Sequence, residues 1–260
     1  MLIQALLIGL LAGILGIEQF NFLFHFHRPI FSGILVGLIL GDVQSGIIAG
    51  ATFELFWAGM VPLAGAQPPN VVIGGIIGTA FAIITKQSAE VSLGIALPFA
   101  LAVQAAITFL FTLFSGFMKK ADKCAEDADV NGINKVNYVA LIALFGFNFI
   151  IAFLPIYLGA DSAKALVDVL NSTTAGKVII GGLGVAGGIM PAVGFATLLK
   201  IMLKKQYVAF LIIGFMLSAY GKLDILPIAL IGGAIAAYDY FLNEKKGNTT
   251  SKREAPSHGI

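Results

Sequence analysis

The sequence predicts an all-α, polytopic membrane protein, and three observations support this fold class. Of the 260 residues, 58% are hydrophobic and only 12% are charged, whereas a soluble domain averages about 25% charged residues. The mean hydropathy is +0.94, so the polar groups are too few to form a water-facing surface around a chain of this length. The 31 glycines agree, because small residues let membrane helices approach one another closely.

Composition and motifs also exclude several function classes. The formal charge of +2 and the lack of basic stretches interleaved with aromatic residues argue against nucleic-acid binding. Cys124 is the single cysteine, and His25 and His27 are too close in sequence to share one helix face, so we expect no metal site. The sequence contains no nucleotide-binding, hydrolase or metalloprotease motif, so we expect neither cofactor nor catalytic residues.

Residues 1–118 are predicted to form a membrane core. The run Leu2–Ile17 has no basic residue before it, so we interpret it as a retained helix and not a signal peptide. Short apolar segments interrupted by glycine and proline are typical of re-entrant hairpins and broken helices. Arg28-Pro29 is typical of a helix start and Gly41-Asp42 of a helix end followed by a new cap. The four segments that are short for a span of about 20 residues are Leu2–Ile17, Ile30–Leu40, Gly46–Met60 and Val71–Thr85.

The rest of the chain contains longer apolar segments. We predict a cytoplasmic loop at 119–137, C-terminal membrane helices over 138–242, and a disordered cytoplasmic tail at 243–260. Within the C-terminal part, 161–175 is amphipathic and is predicted to lie along the outer interface. Val208–Tyr220 crosses the membrane only if its flanks extend it. The long predicted spans are Val91–Met118, Tyr138–Leu158, Val178–Leu203 and Ile225–Leu242.

The placement of basic residues predicts the topology. Lysines cluster at 119–135, at 200–205 and at 245–253, the last with Arg253, and such clusters remain on the cytoplasmic side. Two predicted crossings separate each cluster from the next, so all three are consistent with one side. The C-terminus is therefore predicted to be cytoplasmic.

Four polar residues are candidates for binding a solute. Glu54 lies in an apolar segment without a basic residue within ten positions, so it must be protonated, paired across helices or facing a polar cavity. Glu18 could reach the same cavity. Pro68-Pro69 forces an extended segment, in which Gln67 and Asn70 offer both donors and acceptors that suit sugar hydroxyls. An ordinary surface turn explains this segment equally well.

Several motifs lie along the chain, namely His27-Arg28-Pro29, Leu35–Asp42, Gly46-Ile-Ile, Thr52-Phe-Glu54, Gly65-Ala66 and Ala186–Gly194. Together they resemble the IIC subunit of mannose-family phosphotransferase systems. The likeness extends over most of residues 5–242. Within that family, Leu63–Val71 and Gly78–Ile83 resemble the N-acetylgalactosamine branch.

The resemblance implies a sugar-translocating subunit of a phosphoenolpyruvate-dependent system in the bacterial cytoplasmic membrane. Such a IIC subunit binds sugar together with a IID membrane subunit, in a heterodimer within a trimer of pairs. Cytoplasmic IIB, charged through IIA, phosphorylates the sugar, so this chain itself would not be the catalyst. In mannose-type members an acid takes the place of Asn70 and an apolar residue that of Gln67. By analogy, the resemblance favours an acetamido sugar or a uronic-acid-containing amino-sugar disaccharide.

Two alternatives follow from the same residues. A IIC subunit for mannose or sorbose would share the family motifs without the preference for an amino sugar. A proton-coupled sugar symporter would use Glu54 and Glu18 as proton carriers, and it would deliver free sugar into the cell.

Overall fold

The computed structural model describes residues 2–21, 24–60, 67–204 and 207–251, and for 160–168, 225 and 242–251 it describes the backbone only. This part of the chain is helical and contains no strand, which confirms the predicted all-α class. Gly65 and Ala66 of the predicted polar loop lie outside the described residues. The helices are α1 (Leu2–Asn21), α2 (Pro29–Leu40), α3 (Val43–Trp57), α4 (Val71–Thr85), α5 (Ala89–Glu126), α6 (Val130–Ser172), α7 (Thr174–Met202), α8 (Val208–Ala219) and α9 (Ile225–Ser251).

Four helices in the described part of the chain are long and apolar enough to cross a membrane. They are α1, α5, α7 and the Val130–Gly159 part of α6. The predicted spans in α5, α6 and α7 agree with these helices. The expectation for the first segment was wrong, because α1 continues past Ile17 to Asn21 and reaches 20 residues.

The surface of the chain supports a lipid environment. Large apolar side chains project outward from several helices, among them Ile3 at 73%, Phe109 at 64% and Ile142 at 70% exposure. A water-soluble monomer rarely exposes apolar patches of this extent. The chain is therefore a membrane protein.

The first of two compact units comprises Met1–Lys200. Within it, α4 contacts α1, α2, α3, α5 and α6. Val72, Ile73 and Ile76 of α4 are completely buried, since they meet apolar side chains from several directions. α1 packs along α6, where Gly16 of α1 lies directly against the Asn148 side chain.

α2 and α3 form a tight hairpin. Proline at the first position of α2 follows Arg28, and Gly41, the residue that caps the end of α2, has φ 86°. The Asp42 carboxylate then accepts a hydrogen bond of 3.0 Å from the Ser45 amide and caps α3. The predicted helix start at Arg28-Pro29 and the predicted end and cap at Gly41-Asp42 are confirmed.

Glycines bring the two backbones of the hairpin into contact. A methyl group added at Gly33 would lie 2.7 Å from the Gly46 carbonyl oxygen, and one at Gly46 would lie 2.6 Å from the Gly33 oxygen. A methyl group at Gly50 would lie 2.5 Å from the Pro29 oxygen. Such distances leave no room for any side chain, so the close approach of the two short helices depends on glycine.

The predicted loop at 119–137 is mostly helical. α5 continues to Glu126 and α6 begins at Val130, so only a three-residue turn separates them. The Asp129 carboxylate accepts a hydrogen bond of 2.9 Å from the Gly132 amide and caps α6. The cytoplasmic position of this turn stays a prediction.

The segments predicted at 161–175 and 243–260 are also helical in part. The backbone of α6 remains helical to Ser172, and α7 begins at Thr174. The backbone of α9 is helical to Ser251, and 252–260 lie outside the described residues. The disorder of the tail over 243–260 stays a prediction. The interfacial position of 161–175 stays a prediction.

The second unit, Ile201–Ile260, contains α8 and α9, which pack against each other. A cavity of about 780 Å³ lies within this unit, and its lining includes Tyr207, Phe210 and Tyr240 together with Asp239. α8 has 12 residues, which corresponds to about 18 Å of helix. That length is shorter than the hydrocarbon core of about 30 Å.

Candidate functional site

Glu18 holds the segment that enters α2. Its carboxylate accepts hydrogen bonds from the backbone amides of His25, at 2.8 Å, and of His27, at 3.0 Å. The His27 Nδ1 atom lies 2.6 Å from the same carboxylate. Because a carboxylate only accepts, Nδ1 carries the hydrogen. Glu18 is only 4% exposed, and these contacts supply hydrogen-bond partners for its buried carboxylate.

Glu54 is paired across helices. The Arg28 Nε atom donates to Glu54 Oε1 at 2.7 Å, and Arg28 Nη2 contacts the same oxygen. The Ile30 amide donates to Glu54 Oε2 at 3.3 Å, which satisfies one of the free N–H groups at the start of α2. Of the three possibilities that the sequence leaves open, the structure supports pairing.

The segment that precedes α4 is fixed at several points. The Trp57 indole N–H donates to the Pro69 carbonyl at 2.9 Å, and the Asn70 backbone N–H donates to the Ala100 carbonyl at 3.1 Å. The Asn70 side-chain oxygen accepts from the Ile73 amide at 2.8 Å and caps α4. Asn70 is 1% exposed, so it lies inside the protein and not in a surface turn.

Three side-chain amides form a chain from α4 to the exposed end of this segment. The Asn70 Nδ2 atom donates to Gln104 Oε1 at 3.4 Å. The Gln104 Nε2 atom donates to Gln67 Oε1 at 2.8 Å. Gln104 is 8% exposed, whereas Gln67 is exposed. The chain therefore begins at a buried helix terminus and ends at an accessible amide.

α3 connects the ion pair with the amide chain. Glu54 lies one turn before Trp57 on this helix, and Trp57 is held between Phe53 and Phe56, with ring centroids 6.4 and 4.8 Å away. These three aromatic side chains are buried. The rigid aromatic packing fixes the direction of α3, and with it the Glu54 carboxylate and the bond to Pro69.

Two of the predicted residues, Gln67 and Asn70, are joined through Gln104. The other two lie in different polar clusters: Glu54 is paired with Arg28, and Glu18 with His27. Sequence reasoning did not identify Gln104 or the pairing of Arg28. Gln104 is the one amide in the apolar run Val91–Met118, and an uncharged polar residue at membrane depth is a recognisable signal.

Polar groups held by broken, glycine-rich helices within an apolar bundle are typical of membrane permeases. The family described as the PTS system sorbose-specific IIC component matches residues 2–238. The chain therefore belongs to this family of IIC sugar permeases of the phosphotransferase system, which confirms the resemblance found in its motifs.

Individual relatives agree with this assignment. The chain is 38% identical over 255 residues to the N-acetylgalactosamine permease IIC component 1 of Escherichia coli (strain K12), covering 98% of this chain and 91% of that relative. A solved structure described as "Structure of membrane protein" matches with a TM-score of 0.81 and 27% identity, covering 94% of this chain and 97% of that one. The cryo-EM structure of the mannose transporter ManYZ with microcin E492 matches with a TM-score of 0.51 and 27% identity, covering 91% and 94% of the two chains.

Proposed function

We propose that this IIC permease carries N-acetylgalactosamine, or a related galactosamine or glycosaminoglycan-derived disaccharide, and that a partner IIB subunit phosphorylates the sugar. The observation that carries the proposal is the amide chain that ends at the exposed Gln67. An amide suits an uncharged acetamido group, because it offers hydrogen bonds without a charge that must lose its water. The Escherichia coli relative, an N-acetylgalactosamine permease, supports the same sugar.

The proposed site divides its residues between contact and support. Gln67 is exposed and Glu54 is partly exposed, so these two side chains contact the sugar hydroxyls or acetamido group. Asn70 and Glu18 are buried, at 1% and 4% exposure. They contribute by holding the 67–70 segment and the entry to α2 in position.

The proposed partners follow from the family. The structurally similar mannose transporter is a complex named ManYZ, and this supports pairing with a IID membrane subunit. In the proposed assembly the pairs form a trimer in the bacterial cytoplasmic membrane. IIA passes the phosphoryl group to IIB, which transfers it to the sugar at the cytoplasmic face.

A IIC permease for mannose or sorbose is the second candidate, and the description of the matching family favours it. The residues at the candidate site separate the two proposals. Gln67 and Asn70 are amides, and each is engaged in the chain with Gln104. A hexose that carries only hydroxyl groups does not require this arrangement.

Proton-coupled symport is less consistent with the structure. A proton carrier needs a carboxylate that can take up and release a proton as the protein moves. Glu54 is bound to Arg28, and Glu18 accepts three hydrogen bonds from His25 and His27. Both carboxylates are therefore held in fixed contacts with neighbouring residues.

Sugar uptake in cells tests the proposal. Cells that lack their own amino-sugar systems would receive the chain with its IIA, IIB and IID subunits, and labelled N-acetylgalactosamine would be supplied. We expect phosphorylated sugar inside the cell and no uptake without IIB. Free sugar inside, with uptake that collapses when a protonophore is added, would support the symporter instead.

Substitutions test the site assignment. Gln67→Leu removes a hydrogen-bonding partner, which typically costs about 1–3 kcal/mol, or roughly ten- to hundredfold in affinity. Thr112→Val is a matched control, because within the described part of the chain the Thr112 hydroxyl donates only to the Thr108 carbonyl of its own helix. If Gln67→Leu and Glu54→Gln leave uptake of each amino sugar unchanged, the site assignment is wrong. Faster uptake of mannose or sorbose than of N-acetylgalactosamine would favour the second candidate.

A further inference from the structure

The amide chain has a direction, which begins at the first turn of α4. The Ile73 backbone N–H can only donate, and it bonds to the Asn70 side chain at 2.8 Å. The Asn70 atom in this bond must therefore be its oxygen, since the amide nitrogen is not an acceptor. The remaining Asn70 group, the NH₂, faces Gln104.

The same logic fixes the two glutamines. The Gln104 atom that meets the Asn70 NH₂, at 3.4 Å, must accept and is therefore its oxygen. The Gln104 NH₂ then faces Gln67 at 2.8 Å, and so the Gln67 atom in that bond is also an oxygen. No other assignment gives every contact one donor and one acceptor.

The consequence appears at the exposed end of the chain. The Gln67 oxygen is engaged, whereas its NH₂ group has no hydrogen-bond partner among the described residues. Gln67 is exposed and Gln104 is buried. The amide chain therefore presents the two N–H donors of Gln67 to a ligand that approaches this face of the protein.

We propose that Gln104 is a specificity-determining residue, which orients Gln67 so that its NH₂ selects the carbonyl oxygen of an acetamido group over the ammonium of a free amino sugar. This inference rests on the proposed function and names the group that the site distinguishes. A carbonyl oxygen accepts hydrogen bonds and carries no hydrogen, so it matches the Gln67 NH₂. A 2-ammonium group only donates, so its N–H groups would face the N–H groups of Gln67.

The sharpest test is to reverse the direction of hydrogen bonding along the amide chain, and Gln104→Glu provides this reversal. A carboxylate at position 104 has two acceptors and no donor, so Asn70 can still donate to it. Gln67 must then turn its own NH₂ inward and present its oxygen to the sugar. We expect the preference for N-acetylgalactosamine over galactosamine to fall about tenfold, the effect of one misplaced hydrogen bond.

The measurement is phosphorylation of the two sugars by membrane vesicles that contain the IIC and IID subunits and are supplied with phosphorylated IIB. The ratio of the two values of kcat/KM is the readout, because loss of packing alone would lower both rates equally. Thr112→Val is the control, because Thr112 lies on the same helix as Gln104 and its hydroxyl donates to the Thr108 carbonyl. This substitution should leave the ratio unchanged. An unchanged or increased ratio in Gln104→Glu would overturn the inference.

A second variant covers the case in which the buried carboxylate prevents folding. Gln104→Leu removes both bonds and introduces no charge, so Gln67 can present either end of its amide. We expect the ratio to fall by a smaller factor than in Gln104→Glu, and an unchanged ratio would again contradict the role of Gln104. If the unaltered chain phosphorylates neither sugar, the proposed function fails and this inference fails with it. If it phosphorylates N-acetylgalactosamine while both variants keep the ratio, only the inference fails.

Discussion

At the residue scale, the ion pair of Arg28 and Glu54 connects the start of α2 with α3. The two side chains are 24% and 23% exposed, so water screens their attraction only in part. Glu54 also accepts from the Ile30 amide. If one partner is removed, the other charge remains partly buried and loses its main hydrogen bonds.

We expect Arg28→Gln to destabilise the protein by about 1–3 kcal/mol, because a hydrogen bond to a charged group is lost. Glu54→Gln should destabilise it as well, but the double variant should cost less than the sum of the two. Thermal unfolding of the purified protein in detergent gives the coupling between the residues. Lys135→Gln is the control, since Lys135 is exposed and belongs to no ion pair in the described part of the chain. Additive effects of the two substitutions would contradict a direct pair.

Asn70 combines two roles that substitution can separate. Its oxygen caps α4, and its NH₂ begins the amide chain. Asn70→Asp keeps an oxygen for the Ile73 amide and places a negative charge at a helix start, which is favourable. Asn70→Ala loses both functions.

We therefore expect Asn70→Ala to lower the free energy of unfolding by about 1 kcal/mol, whereas Asn70→Asp should remain closer to the unaltered protein. Both variants should reduce uptake of N-acetylgalactosamine, because neither retains the donor to Gln104. Thermal unfolding and sugar uptake, measured on the same preparations, test the two roles independently. Full uptake by Asn70→Asp would show that the donor is not needed.

At the scale of the elements, the α2–α3 hairpin depends on small residues at its interface. A methyl group at Gly46 would lie 2.6 Å from the Gly33 oxygen and 2.8 Å from the Gly37 Cα atom. Both neighbours are backbone atoms, which cannot turn away as a flexible side chain would. Added volume in a close-packed interface typically costs about 1–3 kcal/mol.

We expect Gly46→Ala to lower the thermal midpoint of the detergent-purified protein and to reduce its yield. Gly146→Ala is the matched control, because no atom of the described residues lies within 4 Å of a methyl group at that position of α6. Alanine there should be neutral or stabilising, since glycine disfavours a helix interior by about 0.5–1 kcal/mol relative to alanine. Equal effects of the two substitutions would contradict a glycine-dependent contact between α2 and α3.

Hydropathy and turn chemistry predicted most of the elements. The spans in α5, α6 and α7 follow from long apolar runs, and the ends of α2 and α3 follow from Pro29, Gly41 and Asp42. The end of α1 did not follow, because the stabilisation of Glu18 comes from His25 and His27 beyond the helix. Local sequence also gives no sign that 119–126 and 130–137 extend two membrane helices beyond the span.

The candidate site was predictable in its residue types and not in its connections. Glu54 and the amides of Gln67 and Asn70 are conspicuous in apolar surroundings. Their partners lie 26, 37 and 34 positions away along the chain, at Arg28 for the first and at Gln104 for the two amides. Contacts at that separation arise from helix packing, which a local pattern does not encode.

At the scale of the whole molecule, the described helices belong to two compact units, Met1–Lys200 and Ile201–Ile260. The candidate site residues belong to the first unit. In the second unit, α8 is about 18 Å long, so a full crossing must include residues that flank it. The side of the membrane on which the turn between α8 and α9 lies depends on that crossing.

Thiol labelling tests the topology, because Cys124 is the single cysteine of the chain. It lies near the end of α5, next to the lysine cluster at 119–123, and is partly accessible. If this cluster is cytoplasmic, a membrane-impermeant maleimide should label Cys124 in inverted vesicles and not in intact cells. Labelling of Cys124 in intact cells would contradict the predicted orientation.

The turn between α8 and α9 provides the decisive second position. In a Cys124→Ser background, Leu223→Cys places one thiol at this turn without changing any charge, and Leu223 is 39% exposed. If α8 and its flanks cross the membrane, the maleimide should label this thiol in intact cells, opposite to the result for Cys124. If α8 and α9 instead form a hairpin that enters and leaves from the cytoplasmic side, both thiols should react only in inverted vesicles. Because a hairpin returns the chain to its starting side, the C-terminus would remain cytoplasmic in either case, and only the thiol at position 223 separates the two arrangements.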